Sequence, residues 1–362
     1  MNIEKKGEGK VRVIILMLVM MMMGCNSGGV KGEGTGGGDG RGGSLSEVML
    51  EVGRSAENAF YAFLELMSDV LGFSVNTTTK KEDVGNHFKS LGVKLGKASE
   101  ELEEVAKKSE TGGDKNDSSK NLIKEIVDSA RGVLGTLKGY LESLGTVGDS
   151  KPVGEAGSDA TGASANEGEL SKALKALKGI VEIAKGAGVA EPIAGIMSLN
   201  GTGIDNKEGV RILATDNKAS AVTDAGKAAL IVSSVSGEEI LASIVKSEEG
   251  DSALGGTAPD DKTTAVKFAK GGNVANLATA NTPKASAVSG GIALRSLVKD
   301  GKLASGAADG SAGGKQDVQA VGMSAVNKLL VAVEDLVKKT VKNVLEKVKQ
   351  GVDEARKPKT SN

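Results

Sequence analysis

The chain has 362 residues, 46 basic and 47 acidic side chains and a formal net charge of −1, so no polyanionic partner such as nucleic acid is indicated. That length allows one large domain or two ordinary ones, but with no Trp, five Phe and two Tyr the core must be built from Leu, Ile, Val, Met and Ala. Gly, at 52 residues, is used about twice as often as is usual, and the one cysteine excludes an internal disulfide.

Residues 1–12 carry Lys5, Lys6, Lys10 and Arg12, an unbroken apolar run fills 13–23, and Gly24-Cys25 follows. This is the order of a secretory signal. As a helix the apolar run rises only about 16 Å, too short for a permanent span of a hydrocarbon core about 30 Å thick. A buried core helix would not be apolar all round at the extreme terminus and lead into a Gly-rich stretch. An ordinary signal with an incidental cysteine leaves Cys25 unexplained. A thiol can take a diacylglyceryl group as a thioether, and small Gly24 suits the position before such a cleavage. The reading is a signal peptide over 1–24, cleavage between Gly24 and Cys25, and lipid on Cys25. Two or more acyl chains then anchor the protein stably where one would not. Removing the signal takes four basic and two acidic residues, leaving a net charge of −3.

Residues 25–43 form the lipidated cysteine and a Gly-rich tether, whose eighteen flexible residues after the cysteine give a reach of about 20–25 Å. Gly32, Gly34 and Gly37 satisfy G-x-G-x-x-G formally, but no strand precedes them and no periodic helix follows, so they read as linker.

The remainder, 44–362, reads as a single all-α domain. Ser44 and Glu47 form a capping box. The helix it opens carries Leu45, Val48, Met49, Val52, Ala56, Phe60, Phe63, Leu64, Met67 and Leu71 on one stripe. A second helix is predicted through Phe88, Leu91, Leu95, Ala98, Leu102 and Val105, a third through Ile123, Ile126, Ala130, Val133, Leu137, Leu141 and Leu144, and a fourth through Leu170, Leu174, Leu177, Val181 and Ala184. The sustained 3/4 spacing implies antiparallel bundle packing. From about 200 to 320 the chain is Ala-, Gly-, Ser- and Thr-rich, and is read as short helices with long exposed connections such as 248–262 and 306–315. A long helix is predicted over 324–357, its stripe running from Val326 through Leu330, Val337 and Leu345 to Val352. Glu334 with Lys338 and Asp335 with Lys339 are expected i,i+4 pairs. Lys338, Lys339, Lys342, Lys347 and Lys349 read as a solvated face rather than a binding patch. The first and last helices of this domain are the most apolar, so they are expected to pack together. The architecture inferred is an elongated bundle with both long end helices near the membrane and the loop-rich 200–320 region at the distal end.

Little chemistry is available. His87, the sole histidine, is expected to be a surface or capping residue, and no second His or free thiol can complete a metal site with it. There is no G-x-S-x-G elbow and no Walker A spacing. The carboxylates of 100–104 lie on a charged face with Lys107 and Lys108. The chain is read as a non-enzyme without cofactor or metal.

Several segments now carry a resemblance: the signal with its GCNSGG start at 24–29, the stretch from Ser46 to Leu66, Ile292 to Lys302, and Val331 to Leu345. They resemble the variable large proteins of the variable major protein family of relapsing-fever Borrelia, relatives of the variable surface lipoprotein of Lyme spirochaetes. Met22-Met23-Gly24-Cys25 departs from the commoner Leu-Ala-Gly-Cys, but is similar to relaxed spirochaetal lipoboxes. The resemblance covers essentially the whole chain. It implies a lipid-anchored, surface-exposed outer-membrane protein that is expressed one version at a time and evades host antibody by switching. It also implies an elongated α-helical body with both ends near the membrane, and it supplies no catalytic motif beyond the lipidated cysteine, here Cys25. Two other readings stand beside it: an adhesin for host cell or plasma molecules, and a periplasm-facing solute binder with a ligand pocket.

Overall fold

The computed structural model describes residues 72–110, 118–157, 162–201, 203–216, 221–306, 311 and 313–355. The signal, the tether and the helix expected from Ser44 lie outside the described residues, and so does the expected pairing of that helix with the last one. Among the described residues the regular structure is helical, joined by isolated β-bridges only.

Helix α1 (Lys81–Glu110) and helix α2 (Ser118–Leu144) form an antiparallel pair because each sequence keeps one apolar seam. Val84, Phe88, Leu91, Leu95, Ala98 and Leu102 are buried on α1, and Ile123, Val127, Ala130, Leu134, Leu137, Leu141 and Leu144 on α2. Each fully buried Leu, Ile or Phe contributes about 1.5–3 kcal/mol by leaving water, so the seam outweighs the exposed Gly132, Gly135 and Gly139 that weaken α2 as an isolated helix. At one end the two backbones nearly touch: a Cβ on Gly85 would lie 2.7 Å from the Gly145 carbonyl. The pair can close there only because both positions lack side chains.

Helix α3 (Glu167–Gly186) is capped by Asn166, whose side chain accepts from the Glu169 amide. Glu167 and Glu169 occupy its positive end and Lys185 its negative end. A 3-10 turn (Lys207–Leu213), α4 (Asp224–Ser233), α5 (Gly237–Val245), α6 (Ala265–Lys270), α7 (Val274–Leu277), α8 (Ala285–Leu297) and α9 (Lys315–Ala355) complete the described elements. Helix α5 opens with a full capping box, Ser236 and Glu239 each bonding the other's backbone amide, a signature the sequence reading did not single out.

The segment from 200 to 320 holds the short helices and long connections expected of it, but it is less peripheral than its composition suggests: α4, α5, α6 and α8 supply much of the core, and all thirteen residues of α8 are buried. Helix α8 is buried on every side and consists mostly of small and apolar residues, with Arg295 and three serines among them, and a helix enclosed in this way shows little periodicity. Gly290 and Gly291 let it press against its neighbours. A Cβ on Gly290 would lie 2.8 Å from both Ala265 Cβ and Ser243 Oγ, and one on Gly291 would run into Phe268.

Helix α9 begins well before Ser324 and spans 41 residues, about 60 Å at 1.5 Å per residue. It packs on α2, α3, α4, α5 and α8, a spine shared by these described helices. Lys338, Lys339, Lys342, Lys347 and Lys349 are exposed as expected, and Lys342 pairs with Glu346 at 3.7 Å. Glu334 does not serve as the partner of Lys338. It turns inward beside the Val333–Val337 stripe and bonds His87 of α1, Nε2 to Oε1 at 2.7 Å. His87 is therefore no surface or capping residue: it is buried, with Phe73 stacked on its ring at 4.7 Å.

Candidate functional site

Cys25, the predicted lipid attachment point, lies outside the described residues. What the structure presents is a loop-bearing face and the buried polar groups that hold it in place.

Among the described residues the two most exposed large apolar side chains stand between α3 and the 3-10 turn. The sequence turns irregular there because Pro192 and Gly195 interrupt any helix. Ile193 and Ile196 are 77% and 88% exposed, and Ile204 is 52% exposed. The segment is pinned from beneath at several points. Leu199 is buried and its amide donates to the Asn281 carbonyl at 3.2 Å. The Ala285 amide donates to Met197 O at 2.9 Å, and Lys284 Nζ to Ile196 O at 3.3 Å. At the segment's start Lys185 pairs with Glu191 at 2.8 Å, which holds the Lys185 ammonium above its usual range. At its end Asp205 pairs with Lys207 at 3.0 Å, and that hydrogen bond keeps the Asp205 carboxyl below the usual carboxylate range.

Beside this segment runs an open groove of about 440 Å³. Val189, Pro192, Leu241, Val331 and Leu336 line it, and charged Glu238, Asp335 and Lys339 share the lining. Its floor is apolar. A second loop, between α5 and α6, is tied to α3 by Lys175–Glu249 at 3.1 Å and to its own turn by Thr264 Oγ1 donating to Asp251 Oδ2 at 2.6 Å. The exposed ion pair adds little stability; the loop is held chiefly by buried Leu254 and by backbone bonds, Leu254 N–H to Gly271 O and Asn273 N–H to Gly255 O, both at 2.8 Å.

The support under these loops is unusually polar for a core, and none of it was foreseen from sequence. Arg295 is wholly buried on α8. Its Nε–H donates to Ala269 O at 2.9 Å and an Nη2–H to Phe268 O at 3.3 Å, meeting the free carbonyls at the end of α6. Burial pushes its pKa down to about 9, which still leaves it charged at neutral pH. Lys81, at the start of α1, is also buried and donates to Val298 O at 3.1 Å and Gly301 O at 2.6 Å. Burial lowers its pKa, and the nearby Asp149, Glu155 and Asp300 oppose that effect. Asp149, 4.0 Å from Lys81, has its charge disfavoured by burial, but amides of Asp300 and Lys151 and the Lys81 ammonium outweigh this and hold its pKa below the usual value. Asp300 adopts φ +63, the left-handed conformation that Asp tolerates better than most residues. These groups fix the 298–302 turn against α1.

Chemically the arrangement does structural work. Among the described residues no group of three His, Cys, Asp or Glu side chains is placed to hold a metal ion, and the sole histidine is committed to Glu334. No single helix among them is long and apolar enough to cross a membrane. The signals that could have found the buried cations are a lone Arg inside the apolar stretch 292–297 and a Lys directly before the α1 seam.

Comparison with known proteins supplies the context. The family model for Borrelia lipoproteins matches residues 56–352. Variable large protein 7 of Borrelia hermsii is 60% identical over 87% of this chain and 85% of its own length. Variable large protein 21 of the same organism is 60% identical over 88% and 86%. The crystal structure of the Lyme disease variable surface antigen VlsE of Borrelia burgdorferi superposes with a TM-score of 0.65 at 25% identity, covering 84% of this chain and 98% of that one. The chain belongs to the Borrelia lipoprotein family.

Proposed function

We propose that this protein is a surface lipoprotein of the outer membrane that acts as a switchable antigen, displayed for a time and then replaced so that host antibody no longer recognises the cell. In this reading residues 1–24 are removed, Cys25 carries the lipid, 25–43 are the tether, and 44–362 are the displayed body. The observation that carries it is the 60% identity to variable large proteins along most of the chain, joined to the shared fold of a variable surface antigen.

The distribution of stability supports the same reading. The core depends on helix seams, on enclosed α8 and on Arg295 and Lys81, none of which an antibody can reach in the folded protein. The outer face consists of loops whose substitutions usually alter stability by no more than about 0.5 kcal/mol. Such a body can change its surface without changing its fold. It needs no catalytic centre and no cofactor.

The test is serological. Antiserum raised against this chain is expected to bind and kill cells displaying it, and to spare otherwise identical cells displaying variable large protein 7. Equal killing of both would overturn the proposal. Specific retention of a purified host glycosaminoglycan or plasma protein, lost on charge reversal of a defined lysine patch, would instead favour the adhesin reading.

A further inference from the structure

The exposed segment contains the only Asn-Gly pair in the chain, Asn200-Gly201. Both residues are exposed, while Leu199 just before them is buried and holds the turn to the body. Ser198 Oγ donates to the Asn200 side-chain oxygen at 2.8 Å. A hydroxyl bonded to an amide oxygen draws electrons from the amide carbon and makes it a better electrophile. The next backbone nitrogen is that of Gly201, which carries no Cβ; its amide donates to the Ser198 carbonyl at 3.0 Å, a bond that must open before the nitrogen can attack. A Cβ there would run into the Met197 side chain, so a larger residue at this position would have to displace that side chain. Electrophile, polarising hydroxyl and the nitrogen of a glycine thus share one exposed turn.

We propose that Asn200 is a site of spontaneous covalent modification, converting to aspartate and isoaspartate through a cyclic imide. The Gly201 nitrogen attacks Asn200 Cγ and a new N–C bond forms. The Cγ–Nδ2 bond breaks, and the side-chain amino group leaves as ammonia with the proton that Gly201 nitrogen gives up. Water then adds to either imide carbonyl and opens the ring, leaving a carboxylate on the side chain (aspartate) or in its isomer. No oxidant, metal or enzyme is needed. The product places a new negative charge, and in the isomer an extra backbone methylene, on the face that carries Ile193 and Ile196. The displayed surface therefore alters with the age of the molecule, without any change in its gene.

The other described asparagines lack this combination. Asn327 is held by both its amide groups to Val75, at 2.7 and 3.2 Å, and is followed by Lys328. Asn166 is fixed as the α3 cap and is followed by Glu167. Asn206 is buried and is followed by Lys207.

The test uses the purified full chain, held at body temperature in mildly alkaline buffer, digested with trypsin at intervals and mapped by mass spectrometry. The fragment 186–207 is expected to gain one mass unit localised to residue 200 and to become a substrate for isoaspartyl methyltransferase. Asn200→Gln is expected to abolish both signals, because its longer side chain closes the ring poorly. Ser198→Ala is expected to slow them several-fold. Unchanged mass at residue 200, a gain that persists in Asn200→Gln, or an equal rate in Ser198→Ala would overturn the assignment. The readout is chemical, so it stands or falls apart from the antigenic role.

Discussion

The same substitution, Gly to Ala, should act in opposite directions at two helical positions. At Gly132 on α2 an added Cβ meets nothing within 4 Å. The only consequence is better helix propensity and a stiffer unfolded chain, about 0.5–1 kcal/mol of stabilisation. At Gly291 on enclosed α8 the added carbon runs into Phe268 Cβ and lies 3.1 Å from both Ala265 O and Ala269 N. Two of those three atoms are backbone, so relief requires α6 to shift, and α6 is where Arg295 makes its two hydrogen bonds. Overpacking of this kind costs about 1–3 kcal/mol. With backbone in the way the upper end applies, and the propensity gain of up to about 1 kcal/mol leaves a net loss of about 2 kcal/mol. Urea unfolding followed by circular dichroism should place the midpoint of Gly132→Ala above wild type and that of Gly291→Ala below it, with similar slopes. A Gly291→Ala protein as stable as wild type would refute the tight approach of α8 to α6.

Three further outcomes follow from the same geometry. Leu134→Ala, in the middle of the α1–α2 seam with no exposed surface, should lower stability by about 2–5 kcal/mol in equilibrium unfolding. His87→Ala and Glu334→Ala, measured with their double variant, should each destabilise, and the two losses should fall short of additive by about 0.5–3 kcal/mol, since either change already breaks the 2.7 Å bond; strict additivity would contradict it. Asp149 has a folded-state pKa below its ordinary value of 3.8, so the unfolded chain binds more protons as the medium becomes acid. Its contribution is thus fully present above that ordinary value and is lost as pH falls through the native one. Asp149→Asn should be less stable than wild type at neutral pH, and the gap should close in the acid limb of a pH–stability curve.

How much of this was legible in the sequence depended on contrast between faces. Helices α1, α2, α3 and α9 each have one apolar stripe and one charged face, so their 3/4 spacing announced them. Helix α8 has no such contrast: Ala287, Ser289, Gly290 and Ala293 are buried on all sides, and a period cannot show where every side is alike. The 200–320 region therefore read as short helices with long exposed connections, and the burial of α8 within it did not show. Charge was misleading in a related way. Glu334 sits four residues before Lys338 as a surface pair would, yet a buried histidine on another helix outbids that partner, and sequence spacing along one helix carries no information about the other. For Arg295 and Lys81 the sequence showed at most a cation within or beside an apolar stretch; their partners, carbonyl groups of residues distant in sequence, could not be read from it. The proposed lipid site rests on the reverse kind of signal: Gly24-Cys25 after a short apolar run is a purely local pattern, and it lies outside the described residues.

The central claim is outward display through lipid on Cys25. It is tested most directly by treating intact labelled cells with protease, comparing wild type with Cys25→Ala after growth on radioactive palmitate. The account predicts that wild type carries label and is degraded from outside, while Cys25→Ala carries none and is lost from the cell surface. Label retained on Cys25→Ala, or a wild-type protein spared by protease until the outer membrane is opened, would contradict it.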